Sequence, residues 1–142
     1  MSEKRRVVLD TNCLIASLSR HSVYYPVWSG FQTGKYILCV SNDILEEYQE
    51  IIAQKANPYV AENVVRAIAE SDFAEFHDPH FHLHLITSDP DDNKFVDCAF
   101  VANATFIVSN DKHFRELDAV DFPEITVIKL DQFLQILKEE AE

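Results

Sequence analysis

The chain has 142 residues, 47% of them hydrophobic and 25% charged, an ordinary globular composition that excludes a disordered or membrane class. One domain spanning 1–142 is the simplest expectation at this length, able to bury about 68–70% of the surface that the unfolded chain exposes. Twelve Lys and Arg stand against twenty-four Asp and Glu, a formal charge of −12, so broad phosphate binding through a basic surface is excluded. A nucleic-acid partner then requires bound divalent cations or basic residues gathered at one mouth.

The charged start Met1-Ser-Glu-Lys-Arg-Arg6 runs straight into a strand with no signal-type apolar region, so a cytoplasmic location without membrane association is expected. Cys13, Cys39 and Cys98 are odd in number and lack metal-type pairing, which suits buried thiols in a reducing compartment.

Arg6-Val-Val-Leu-Asp10-Thr-Asn12 is a short β-rich apolar run closed by a carboxylate, and it reads as a buried strand carrying Asp10 at its C-terminal end. In open parallel sheets ligands sit outside that end of the strands. Residues 12–19 and 23–33 read as a broken helical segment, with Asn12 as a candidate cap, Pro26 near the second start and Gly34 closing it. Tyr36–Val40 is a second strand, and Ser41-Asn-Asp43 starts a helix over 43–54. Asn57-Pro58 marks a turn before an amphipathic helix over 58–72.

Phe81-His-Leu-His-Leu85 alternates strictly, which predicts an edge strand with His80, His82 and His84 on one face. That spacing admits a zinc reading, beside the plainer one of a solvated strand face. Asp89-Pro90 opens a helix over 91–103. Thr105–Val108 is a strand ending at Ser109-Asn-Asp111, and a short helix follows to Leu117. Thr126–Leu130 is a last strand, and Asp131 caps the terminal helix. Strands alternating with helices imply a three-layer α/β fold around a parallel sheet.

Asp10 and Asp111 both end strands, so both belong at the carboxyl edge of the sheet. Helical phase selects two more acids. Glu47 lies beside the apolar stripe Ile44, Tyr48, Ile51 and Ile52, whereas Glu46 and Glu50 point away. Asp92 precedes the stripe Phe95, Val96, Ala99 and Phe100 and faces inward, while Asp97 largely faces out. Four converging carboxylates repel unless a hard cation neutralises them, which points to Mg²⁺ or Mn²⁺ and to phosphodiester chemistry with a metal-activated water.

Val-Val-Leu-Asp10-Thr-Asn12, Ile-Leu-Glu-Glu47-Tyr, Asp89-Pro-Asp-Asp92-Asn-Lys-Phe-Val-Asp-Cys-Ala99 and Ile-Val-Ser109-Asn-Asp111-Lys-His-Phe resemble the PIN-domain family of metal-dependent ribonucleases, over roughly residues 6–130. The branch they are most similar to holds toxins of bacterial toxin-antitoxin pairs. The resemblance implies strand order 3-2-1-4-5, RNA as substrate, products with a 5′-phosphate and a 3′-hydroxyl, an antitoxin protein as partner and frequent homodimers. It matches Asp10, Glu47, Asp92 and Asp111 to the family's acidic metal-binding quartet, and Asn12 and Ser109 to its supporting polar positions. Lys94, Lys112, His113 and Arg115 flank the later acids and are candidate RNA contacts, or plain surface charges.

Each acid taken alone has a plainer role: Asp10 as a turn residue, Asp111 as a cap, Asp92 as capping-box partner of Asp89, Glu47 as a solvated helix acid. Cys13 beside the site has no sequence neighbour to activate it and reads as a small hydrophobe. An aspartyl phosphatase would need an acid where Asn12 stands. The remaining alternative to a nuclease is a catalytically silent PIN-like scaffold that binds a protein partner, for which four converging acids have no physical use.

Overall fold

A computed structural model describes residues 4–79, 82–86, 90–119 and 124–140. Five parallel strands lie in the order β3-β2-β1-β4-β5: β1 Arg6–Leu9, β2 Ile37–Val40, β3 Ala74–Phe76, β4 Phe106–Val108 and β5 Val127–Ile128. Helices α1 Thr11–Ala16, α2 Tyr25–Gln32, α3 Asn42–Lys55, α4 Pro58–Ala69, α5 Asn93–Ala102 and α6 Leu130–Glu140 flank the sheet. This is the expected three-layer PIN-like arrangement.

The central strands are apolar on both faces, as a doubly covered sheet requires: Val7, Val8, Leu9, Leu38, Cys39, Val40, Ile107 and Val108 have no exposed surface. Helix α5 packs on β1, β2 and β4. On α6, Phe133 meets Tyr36 edge-on at 5.0 Å between ring centroids, and the Tyr36 hydroxyl donates to the Val27 carbonyl at 2.6 Å. Two helix starts, those of α3 and α4, follow side-chain caps. Ser41 accepts from the Ile44 N–H at 3.2 Å and Asn57 from the Val60 N–H at 2.8 Å, with Pro58 opening α4. Gly34 follows α2 at φ +79°, where an added Cβ would stand 2.6 Å from the Phe73 ring.

Three expectations are corrected. Residues 82–86 form no strand, and the edge strand is β3; His80 lies outside the described residues. The alternation in exposure survives, with His82 and His84 exposed and Leu83 and Leu85 half-buried, but Ile86 is buried and His84 has φ 52°, a left-handed conformation that no strand holds. Leu130 is not the end of a strand but the first residue of α6, and Asp131 does not cap that helix: it lies in its first turn and accepts from the Tyr24 hydroxyl at 2.6 Å. Finally, Asp10 rather than Asn12 occupies the N-cap position of α1, without a side-chain capping bond.

Candidate metal centre

Parallel register builds the centre. Leu9 pairs with Val108, and the Asp10 N–H continues the ladder to the Val108 carbonyl at 3.0 Å, so the residues that follow β1 and β4 emerge side by side. There the Ser109 hydroxyl donates to Asp10 Oδ2 at 2.8 Å and accepts from the Asp111 N–H at 3.0 Å. One buried serine thus ties the two strand-end acids together. Asp10 and Ser109 are 7% and 3% exposed, too little for water to take over these bonds.

Helix α3 brings Glu47 to the same edge. Tyr48, buried on the adjacent position, donates its hydroxyl to the Leu9 carbonyl at 2.6 Å and so clamps the helix to the residue before Asp10. The Glu47 carboxylate accepts the Thr11 hydroxyl and, at 2.9 Å, the Lys94 ammonium. Asp92, 8% exposed, ends a 3-10 turn over Pro90–Asp92 at the N-cap position of α5. A second 3-10 segment, Lys112–Ala119, carries His113, whose Nδ1 lies 3.0 Å from Asp111 Oδ1 and 3.5 Å from Asp92 Oδ2. Donor atoms of Asp92, Asp111 and His113 all lie within 4.8 Å of one another, a spacing that can hold a metal ion.

The electrostatics couple Asp10 to Asp111 and Glu47. Burial raises the Asp10 carboxyl above its ordinary range; the Ser109 hydroxyl and Thr11 N–H oppose that, and the charges of Asp111 and Glu47 add to it. Lys94 is pulled down by burial, but its bond and charge pairing with Glu47 prevail and leave it raised. The donor set, carboxylate oxygens with one imidazole, fits a divalent cation, and the Asp10 carboxyl raised by burial is what such a cation would relieve. Cys13 is inert, its thiol pushed up to about 12 by burial and by Asp10.

The structure therefore brings Asp10, Glu47, Asp92, Asp111 and Ser109 to one edge, and it adds Thr11, Tyr48 and His113 to their support. Thr11 stood in the Asp-Thr-Asn motif but carried no independent signal. Asn12 is elsewhere: it is exposed and accepts from Lys55 Nζ at 3.0 Å. Lys94 is held by Glu47, whereas Lys112 and Arg115 are exposed beyond Asp111. Asp97 does not face out. It is 4% exposed, accepts the Leu83 N–H at 3.0 Å and lies 3.1 Å from His82 Nδ1. The loop before α5 folds over that flank of the helix, a layer that helical phase relative to the sheet does not contain.

The PIN-domain family profile matches residues 6–113, three-quarters of the chain, and the chain belongs to the PIN-domain family. Among solved structures it is similar to a DNA-bound VapBC from Salmonella typhimurium, at 17% identity and TM-score 0.60, covering 89% of this chain and 98% of that one. It is also similar to VapC20 of Mycobacterium tuberculosis, a Sarcin-Ricin loop cleaving toxin, at 13% identity and TM-score 0.54, with 84% and 98% covered. The PIN domain endonuclease Utp24 follows at 17% identity and TM-score 0.53, with 87% and 84% covered. These likenesses concern the fold. No curated protein sequence matches the chain.

Proposed function

We propose that this PIN domain is a divalent-metal-dependent endoribonuclease, with Asp10, Glu47, Asp92 and Asp111 as ligands for Mg²⁺ or Mn²⁺. The observation that carries the reading is the meeting of two nearly buried carboxylates, Asp10 and Asp92, with Asp111 and Glu47 at the carboxyl edge of a parallel sheet. Burying like charges together costs several kcal/mol per ion unless something neutralises them. The fold gains nothing from this arrangement without a cation.

A bound divalent ion would supply a neutralised cleft, a polarised phosphate and a water of lowered pKa. The chain's own residues fix the ligands. Ser109 orients Asp10 by donating its O–H and the Asp111 backbone by accepting on a lone pair; Thr11 and Lys94 hold the two oxygens of Glu47; His113 sits against both Asp111 and Asp92. Lys94 also keeps Glu47 from adding its full charge to the centre.

Similarity to the VapBC and VapC20 structures supports the finer reading of a toxin with a cognate antitoxin protein, and a homodimer belongs to that same reading. Labelled RNA incubated with the purified chain tests the activity. Cleavage is expected with Mn²⁺, and none with chelator or with Asp10→Asn; cleavage surviving full chelation would end the metal-nuclease reading in favour of the protein-binding scaffold. Growth arrest on inducing the parent chain but not Asp10→Asn tests the toxin role.

A further inference from the structure

Two cavities open near the carboxylates, and their linings differ in sign. The larger, about 480 Å³, lies on the Lys94 side, and its titratable lining is Asp43, Asp78, Asp91 and Asp97 with His82 and His84, besides that lysine. Its one lysine is the one already bonded to Glu47. The smaller, about 180 Å³, starts at Ser109 and Asp111 and runs between the 3-10 segment Lys112–Ala119 and the junction of β5 with α6. Lys112, Arg115 and Lys129 line it, against Asp111 and Asp118. A quarter of the chain's twelve basic residues therefore stands at this one groove, in a molecule whose formal charge is −12.

Hydrogen bonding adds neutral donors to the same wall. Asn110 and Gln132 both line the groove. The Asn110 side-chain oxygen accepts the Leu130 N–H at 3.1 Å, and the Gln132 side-chain oxygen accepts the Lys129 N–H at 2.8 Å. Only an amide oxygen can accept those bonds, so the orientation of both amides is settled and their NH₂ groups are left as donors. All five side chains are exposed, and among the described residues none of the three cations forms an ion pair. A wall of cations and N–H donors selects an anion, and a row of them beside a metal-type centre selects a polyanion.

We propose that this groove is the strand-binding subsite, in which phosphates of a single-stranded nucleic acid leaving the carboxylate centre run over Lys112, Arg115 and Lys129. Its substrate class rests on the ribonuclease reading, while the groove itself rests on charge and donor geometry. The acidic cavity repels the same strand, so the two mouths give the substrate one side on which to lie. Lys129 and Gln132 are distant in sequence from every acid of the centre, and the β5–α6 junction alone brings them there.

The test compares Lys112→Gln/Arg115→Gln/Lys129→Gln with a control of equal net charge, Lys35→Gln/Arg66→Gln/Lys138→Gln. Binding of a labelled single-stranded RNA oligonucleotide is read by fluorescence anisotropy in chelator across a salt series, and the Mn²⁺-induced shift in melting temperature is read in parallel. The groove triple should lose about tenfold or more in affinity, with a log–log salt slope flatter by about 2, near 0.7 per lost phosphate contact. It should keep the Mn²⁺ shift, and the control should match the parent. Equal affinity of the two triples, no RNA binding by the parent, or equal binding of a duplex of the same length would each overturn the proposal. If the parent shows no Mn²⁺ shift while the groove triple still loses RNA, the metal reading fails and the groove stands.

Discussion

Replacing Ser109 by Ala isolates the bond that joins the two strand-end acids. The hydroxyl donates to Asp10 Oδ2 at 2.8 Å in a pocket where donor and acceptor are 3% and 7% exposed, so no solvent replaces it. A hydrogen bond to a charged group contributes about 1.5–3 kcal/mol net. The second bond, from the Asp111 N–H, is recovered in part by water because Asp111 is half-buried, and it adds a fraction of a kcal/mol. The metal-free variant should therefore lose about 2–3 kcal/mol at pH 7.5, a drop in melting temperature of roughly 5–12 °C for a chain of this size. The sign of the pH dependence follows from Asp10. Its folded carboxyl is already raised by burial, and the Ser109 bond opposes that shift, so the variant is raised further. A raised acid contributes its stability below the unfolded pKa and loses it as pH rises through the folded one, so the penalty is full once Asp10 is ionised in the folded chain and shrinks toward acid. Thermal unfolding in chelator at pH 7.5 and at a pH near the unfolded carboxylate value of about 3.9 measures both. A loss below about 0.5 kcal/mol at pH 7.5, the range of ordinary surface changes, or a loss that does not shrink at low pH, would refute the reasoning.

Mn²⁺ at a hundredfold over its dissociation constant should stabilise the parent by about 2.7 kcal/mol, while Asp10→Asn should lack that gain and melt above the parent in chelator; calorimetric titration with denaturation curves checks both. Tyr48→Phe removes the buried bond to the Leu9 carbonyl and should cost about 1 kcal/mol in urea unfolding, with a fall in cleavage, because Leu9 precedes Asp10. Gly34→Ala combines φ +79° with a Cβ contact of 2.6 Å to Phe73 and should destabilise by about 1–2 kcal/mol or more, read in the same assay.

The frame of the molecule was legible because its signals are local. Each central strand is a short apolar run, Asp10 directly follows β1 and Asp111 lies three residues past the end of β4, so reading both acids required little more than the strand boundaries. Glu47 was reachable from helical phase, since Tyr48 and Ile44 on its flanks are fully buried. Period two misled here: over the described residues 82–86, half-buried Leu83 and Leu85 alternate with exposed histidines along an irregular segment. There the alternation reports a loop laid across α5 and not a ladder, and side-chain exposure alone does not separate the two.

Asp97 shows where such reading stops. Its phase on α5 is measured against the sheet, and on that reference it belongs outside. The loop supplies the Leu83 N–H and His82 Nδ1 to its two oxygens, so a position polar by periodicity becomes buried by a segment with no periodicity of its own. The consequence is a fifth inward acid that is satisfied locally. Asp97→Asn should then act through stability and not through metal: about 1–3 kcal/mol lost in denaturant unfolding from the weakened anchoring of the loop, with the Mn²⁺-induced melting shift unchanged. A variant that keeps the parent's stability but loses the Mn²⁺ shift would place Asp97 in the metal centre and undo the separation of the two acidic groups.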